Sequence, residues 1–164
     1  MERTLDPARV GDHLDRLYRA AWALCGSRED AEDLVQETYA RVLARPRLIR
    51  REDDLAYLLR ALRNTFLNQR RSASRRVRTD PLPEQPDLVA DPHARDPQAA
   101  VEAGELYAAI AELSDDFRDV IVAVDITGLS YKEAARALRL REGTVMSRLY
   151  RARQQVVRRI EGSA

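Results

Sequence analysis

Residues 128–153, GLSYKEAARALRLREGTVMSRLYRAR, hold the densest set of groups able to grip a polyanion. Nine basic residues against two acidic ones, Glu133 and Glu142, fall between Ser130 and Ile160. With the segment from near Glu142 helical, at about 100° per residue, Gly143, Met146, Ser147, Tyr150, Arg151 and Gln154 share one face. Val145, Leu149, Ala152 and Val156 take the other, and Arg148 and Arg153 flank the polar side. Short side chains that allow close approach, with arginines at the margins, suit a helix lying in the major groove of duplex DNA. Base edges are then read at the centre and phosphates clamped at the sides. A structural helical hairpin with a solvated basic face fits the same pattern.

Two further stripes carry opposite signs. Tyr57, Arg60, Asn64, Asn68 and Arg71 recur at helical spacing, and seven arginines and no acid lie between Arg60 and Arg78. Amides and arginines on one face, with an aromatic at its end, can hydrogen-bond exposed base edges and stack on them, which is chemistry suited to single strands. An ordinary solvated face explains the stripe as well. In REDAEDLVQETYARV, Asp30, Asp33, Gln36 and Glu37 share an outer face. Acids near a helix start complement the helix dipole in any case; the functional alternative is a docking face for a basic partner helix.

The elements that must hold these stripes are all helices. Ser130 caps a helix with Glu133 three residues on, a capping box. Ala134, Ala135 and Leu138 face inward and Leu140 plugs the turn before the next helix, which is helix-turn-helix spacing. Arg139 stands where such turns often have glycine, at a cost of about 1 kcal/mol if the backbone is left-handed there. In the first half, Leu14, Leu17, Tyr18, Ala21 and Cys25 form a stripe closed by Gly26 and Ser27, with Ser27 as N-cap of the next helix. That helix buries Ala31, Leu34, Val35, Thr38 and Val42 and stops near Pro46; a third, from about Leu55, buries Leu55, Leu58, Leu59, Leu62 and Phe66. The second half has Leu106, Ile110 and Leu113 on one helix, Phe117, Val120, Ile121 and Val124 on another, and two shorter helices after Gly128. No segment alternates with the period of a strand.

Residues 79–99 carry five of the seven prolines, are acidic and lack aromatics. Proline at that density forbids a continuous helix, so the segment is expected to be a flexible acidic linker. The fold class expected is therefore all-α, with two small helical domains at 8–78 and 100–161, the second a helix-turn-helix domain. A formal net charge of +1 says nothing of partners by itself. One cysteine, Cys25, excludes a disulfide within the chain, and with two histidines it leaves no metal or acid–base constellation. No catalytic residue, metal site or cofactor is expected, and no run is apolar enough for membrane insertion or a signal peptide, so a cytoplasmic protein is expected.

Together the three surfaces resemble the bacterial RNA polymerase sigma factors of the extracytoplasmic-function (ECF) type, within the sigma-70 family. DAEDLVQETYARV (30–42) is similar to the helix that docks on the polymerase clamp, YLLRALRNTFLNQRR (57–71) to the reader of the −10 element, and LSYKEAARALRLREGTVMSRLYRAR (129–153) to the reader of the −35 element. The resemblance implies polymerase contacts at Asp33, Gln36 and Glu37. It implies −10 contacts at Tyr57, Arg60, Asn64, Asn68 and Arg71, with base capture by the loop at about 46–54. It implies −35 contacts at Met146, Ser147, Arg148, Tyr150 and Arg151. Met146 replaces a usual basic residue, so an apolar contact to a thymine methyl is expected there. The implied partners are core RNA polymerase, promoter DNA (single-stranded at −10, duplex at −35) and an anti-sigma factor. The activity implied is promoter selection with assistance in melting, the bond chemistry belonging to polymerase. The competing class is a stand-alone helix-turn-helix regulator, which binds palindromic operators without polymerase.

Overall fold

Two adjacent residues set the first corner of the chain. Gly26, at φ +73°, ends α2 (Leu14–Cys25) by donating its N–H to the Trp22 carbonyl at 2.7 Å. Ser27 starts α3 (Arg28–Ala44), its hydroxyl accepting from the Asp30 N–H at 3.4 Å. A Cβ on Gly26 would meet the Ala111 Cβ at 3.1 Å, so this left-handed corner is also where the second half of the chain comes close. The computed structural model describes residues 2–50, 53–76 and 97–163. The expected linker lies outside the described residues as far as 96, and α5 (Pro97–Ala111) takes in its last three positions. Proline suits a first helical position, where its missing N–H would have had no partner.

The remaining helices follow the apolar spacing. Before the corner come β1 (Glu2–Thr4), α1 (Pro7–Val10) and a single turn at Gly11–His13. After α3 come β2 (Leu48–Arg50) and α4 (Asp54–Arg76). The second half runs from α5 through α6 (Asp115–Ile121), which continues into a wider turn at Val122–Ile126, to α7 (Tyr131–Leu138) and α8 (Glu142–Gly162). In that wider turn the Thr127 hydroxyl donates toward Ala123 O at 2.5 Å, which satisfies a buried polar side chain. Among the described residues no helix is long and apolar enough to cross a membrane.

Three local expectations need correction. Strands are present: β1 and β2 pair antiparallel with Glu2 opposite Arg50, Arg3 opposite Ile49 and Thr4 opposite Leu48. Three residues are too few to display an alternation, so periodicity misses them. Leu14, placed on the buried stripe of α2, is 45% exposed; it is the helix's first residue, and the buried seam runs through Leu17, Ala20, Ala21, Trp22 and Leu24. The helix after the helix-turn-helix turn is not short: α8 has 21 residues, with no glycine or proline between Gly143 and Gly162.

Both halves share one contiguous hydrophobic core. Leu17, Leu34, Leu58, Leu59 and Leu62 fill the first half of it, and Ile110, Val120, Val122, Val145 and Leu149 the second. The seam between them combines a tilted ring contact with ion pairs. Trp22 meets Tyr107 at 4.9 Å between ring centroids. Arg63 Nε donates to Asp119 Oδ2 and Arg70 Nη1 to Asp115 Oδ1, each at 2.7 Å. The buried Arg118 guanidinium lies 5.4 Å from the Phe66 ring centroid, ion-pairs with Asp115, and donates to the Ala111 and Leu113 carbonyls at the end of α5. Arg118 thus caps one helix and stacks on another from the opposite half.

Candidate nucleic-acid interface

The helix-turn-helix is built as its residues demand. The Ser130 N–H donates to Glu133 Oε2 at 2.8 Å and the Glu133 N–H to Ser130 Oγ at 3.2 Å, completing the capping box. These bonds from Ser130 hold the Glu133 carboxyl below its ordinary range. Arg139 ends α7 at φ 57°, ψ 44°, the left-handed conformation its position called for. Leu140 then donates its N–H to Ala135 O at 2.9 Å, and the turn closes.

Val145, Leu149, Ala152 and Val156 of α8 are buried, which fixes the helix's rotation. Its opposite face is open: Met146 is 52% and Tyr150 66% exposed, with Ser147 and Arg151 exposed beside them. A Cβ added at Gly143 would meet nothing within 4 Å, so that turn is bare for a groove wall to approach. Ser147 Oγ donates back to Thr144 O at 3.2 Å. The two flanking arginines are held from behind. Arg148 ion-pairs with Asp116 at 3.3 Å, and Arg153 grips Asp125 with Nε at 2.9 Å and Nη2 at 2.6 Å. Both carboxylates belong to the stretch 115–126 beneath α8, so each arginine must release or share an acid to reach a phosphate.

The −10 stripe lines a groove of about 550 Å³. Tyr57, Arg60, Asn64 and Asn68 form one wall, along α4, and the end of α3 with Arg41, Arg45 and Arg47 forms the other. Arg139 reaches it from the turn after α7. Arg71 is exposed but does not line it. Five guanidinium groups around amides and one tyrosine make the groove cationic, with an aromatic ring in its wall. Arg60 is half-buried: Nε donates to Ala137 O at 3.1 Å and Nη2 to Arg136 O at 2.6 Å, both at the C-terminal end of α7. Residues 51 and 52 of the 46–54 loop lie outside the described residues.

The acidic stripe divides in two. Asp33 and Gln36 are exposed on α3 and make no side-chain hydrogen bond or ion pair among the described residues. Glu37, half-buried, accepts from Arg41 Nη2 at 2.6 Å and from Gln69 of α4, so it ties α3 to α4 as well as facing outward. Among the described residues no group of three histidine, cysteine, aspartate or glutamate side chains could hold a metal.

Several functional candidates escape sequence reasoning. Arg45 and Arg47 flank Pro46, a basic pair beside a helix stop that could have pointed to them; Arg41 and Arg139 reach the groove only through the tertiary packing of helices far apart in the chain.

A helix-turn-helix with an open face, packed against a helical half that bears a basic groove and an acidic edge, is the architecture of a DNA-binding protein. Comparison with known proteins resolves the class further. Residues 10–76 match the family model for sigma-70 region 2 and residues 103–156 that for sigma-70 region 4. The chain is 39% identical over 150 residues to the ECF RNA polymerase sigma factor SigE of Mycolicibacterium smegmatis, covering 90% of this chain and 58% of that one. It is 36% identical over 160 residues to SigL of Mycobacterium tuberculosis, also an ECF sigma factor, covering 92% and 86%. Among solved structures, the sigma factor RpoE of Bartonella quintana, crystallised with the anti-sigma factor NepR, superposes with a TM-score of 0.74 at 26% identity, covering 94% of this chain and 95% of that one. The chain belongs to the ECF sigma factors of the sigma-70 family.

Proposed function

We propose that this chain directs core RNA polymerase to specific promoters in the cytoplasm and assists in opening them, and that it works as two units. The unit at 8–78 docks on polymerase through Asp33, Gln36 and Glu37 and takes the −10 strand along Tyr57, Arg60, Asn64, Asn68 and Arg71. The unit at 100–161 reads the −35 element as duplex through Met146, Ser147, Arg148, Tyr150 and Arg151. Residues 79–99 connect them. The observation that carries the reading is the groove beside α4, where four of the five −10 residues stand among arginines. An unpaired strand that stacks on Tyr57 and bonds the amides gains contacts duplex DNA cannot make, so binding favours the melted state. No bond-making step falls to this chain; polymerase supplies it.

Reading both elements requires the halves to part. Sites some 25 base pairs apart are roughly 85 Å distant at about 3.4 Å per step, whereas a compact chain of this size is roughly 40 Å across. The 20 residues between α4 and α5, 77–96, span up to about 70 Å when extended, enough to let the second unit travel. The packed arrangement is the resting form, and a protein of the anti-sigma class, as crystallised with the Bartonella quintana relative, is the proposed partner that keeps it so.

Run-off transcription on genomic fragments with purified core polymerase tests the reading. Adding the chain should yield discrete starts that core enzyme alone does not make, and Arg151→Ala should weaken the starts that depend on an upstream element. Tight duplex binding by the free chain, with no change in start sites, would instead identify a stand-alone regulator.

A further inference from the structure

The ladder between β1 and β2 has no part in the reading above, yet it is held in place by more than its length warrants. A two-stranded ribbon of three-residue strands is marginal alone. Here Ile49 of β2 and Leu5, just past β1, are buried in the core at 8% and 6% exposure. Arg3 adds a third anchor: its Nη2 donates to Asp54 Oδ2 at 2.5 Å. Asp54 is the first residue of α4, and its side chain is 7% exposed. The second carboxylate oxygen, Oδ1, is buried with no hydrogen-bond partner among the described residues. Arg3 therefore neutralises a charge that is cut off from water, where loss of one partner weighs most.

What matters is where the two ends of Arg3 lead. Its backbone pairs with Ile49, two residues past Arg47 on one wall of the groove. Its side chain pairs with the start of α4, the helix that carries Tyr57, Arg60, Asn64 and Asn68 on the other wall. No other described residue joins β2 to the first turn of α4 by both a strand pairing and an ion pair. We infer that Arg3 is a positioning residue of the single-strand site, a strut that sets the separation of the basic and amide walls without touching the strand itself. The inference rests on the groove's proposed role as the −10 site.

The test uses polymerase reconstituted with the full chain, on a promoter recovered by the run-off experiment and carrying 2-aminopurine in its −10 element. Opening is read by fluorescence, polymerase affinity by titration, and −35 contact by footprinting. Arg3→Ala should lower the opened fraction about tenfold and leave the other two unchanged, and Arg3→Lys should restore part of it. Because the strut acts through the groove, Arg3→Ala should cost much less in a Tyr57→Ala background than in the native one, whereas a merely structural role gives losses that add. If Arg3→Ala does not fold, Arg3→Lys carries the same cycle. Full additivity, unchanged opening, or an equal fall in all three readouts would overturn the inference. Should Tyr57→Ala and Asn64→Ala both leave opening intact, it is the groove's assignment that fails, not the strut.

Discussion

Arg60 of the first half is bound by Ala137 of the second: its Nε donates to the Ala137 carbonyl at 3.1 Å, while Nη2 reaches the neighbouring carbonyl of Arg136 at 2.6 Å. The last carbonyls of a helix lack partners and carry its partial negative charge, so a guanidinium placed there is doubly favoured. Arg60 also lines the groove beside α4. Two of its five N–H donors thus hold α7, and the other three are not so engaged. Arg60 therefore belongs both to the packing of the halves and to the lining of the groove.

The strength of that packing is set elsewhere, at Arg63 and Asp119. The pair is 2.7 Å long, with side chains 32% and 11% exposed. Burial nonetheless raises the Asp119 carboxyl above its ordinary range, outweighing the pull of Arg63. Arg63→Ala, which strands the carboxylate, should cost about 1–3 kcal/mol after allowance for the partly exposed arginine. Asp119→Asn keeps a neutral isostere and should cost less. Urea unfolding of both variants checks the order, and a larger loss in Asp119→Asn would contradict it.

Acid should separate Asp119 from Asp115. The hydrogen bond from Arg70, aided by Arg118, holds the Asp115 carboxyl below its ordinary range. A carboxyl lowered on folding stabilises the fold above its unfolded pKa, and that contribution disappears as pH falls through the lowered folded value. Asp119 is raised, so the folded chain holds its proton more tightly and acidification through that range favours the fold. Asp115→Asn should therefore lose under about 1 kcal/mol at neutral pH, the residue being half-exposed, and nothing in strong acid. Asp119→Asn should flatten the acid side in the opposite sense. Thermal melts from neutrality downward resolve the two signs.

Arg139 offers a trade between stability and binding. Its φ of 57° is the only positive value at a non-glycine among the described residues. Glycine there relieves about 1 kcal/mol of backbone strain, a rise of a few degrees in Tm for about this size. The same change removes one of the arginines around the groove. Arg139→Gly should thus melt higher and bind a single-stranded −10 oligonucleotide, as holoenzyme, more weakly. A variant improved in both would remove Arg139 from the site.

Cys25 should be inert. Burial, with the nearby Asp30 adding to it, pushes its thiol up to about 12. Since the thiolate is the reactive form, iodoacetamide at pH 8 should modify the native chain roughly a thousandfold more slowly than the chain in denaturant. Equal rates would mean the thiol is not held in the core.

The local architecture was legible in the sequence wherever a helix signal was complete. Ser27, Gly26 and the Ser130–Glu133 box each announce a boundary by chemistry that acts within four residues, and the leucines of α4 show its buried face by spacing alone. Even the left-handed Arg139 followed from the turn it occupies. Contacts between the halves were not legible. Arg63 and Arg70 look like members of a basic run, and nothing near them in the chain says that Asp119 and Asp115 will meet them. Arg3 gives no sign of its role, because strand pairing over 46 residues depends on a tertiary approach that no periodicity encodes. The composition of the groove was half visible for the same reason: the stripe on α4 is local, whereas its facing wall is assembled.

On the acidic edge of α3 the proposed docking can be told apart from folding. Asp33 is exposed and unengaged among the described residues, whereas Glu37 accepts from Arg41 and from Gln69 across the α3–α4 seam. Reversing the charge at Asp33 changes only what a partner meets. Asp33→Arg should abolish association with core polymerase in gel filtration and leave the melting temperature within a degree or so of native, since exposed sites free of contacts move stability by about 0.5 kcal/mol at most. Glu37→Arg faces Arg41 with a like charge and leaves Gln69 without its acceptor, so it should lose both association and about 1 kcal/mol of stability. The two variants therefore divide the stripe: one reports the interface alone, the other the interface together with the seam behind it. If Asp33→Arg still co-elutes with polymerase while Glu37→Arg does not, the docking surface lies nearer α4 than the outer face of α3, and Asp33 is an ordinary solvated acid.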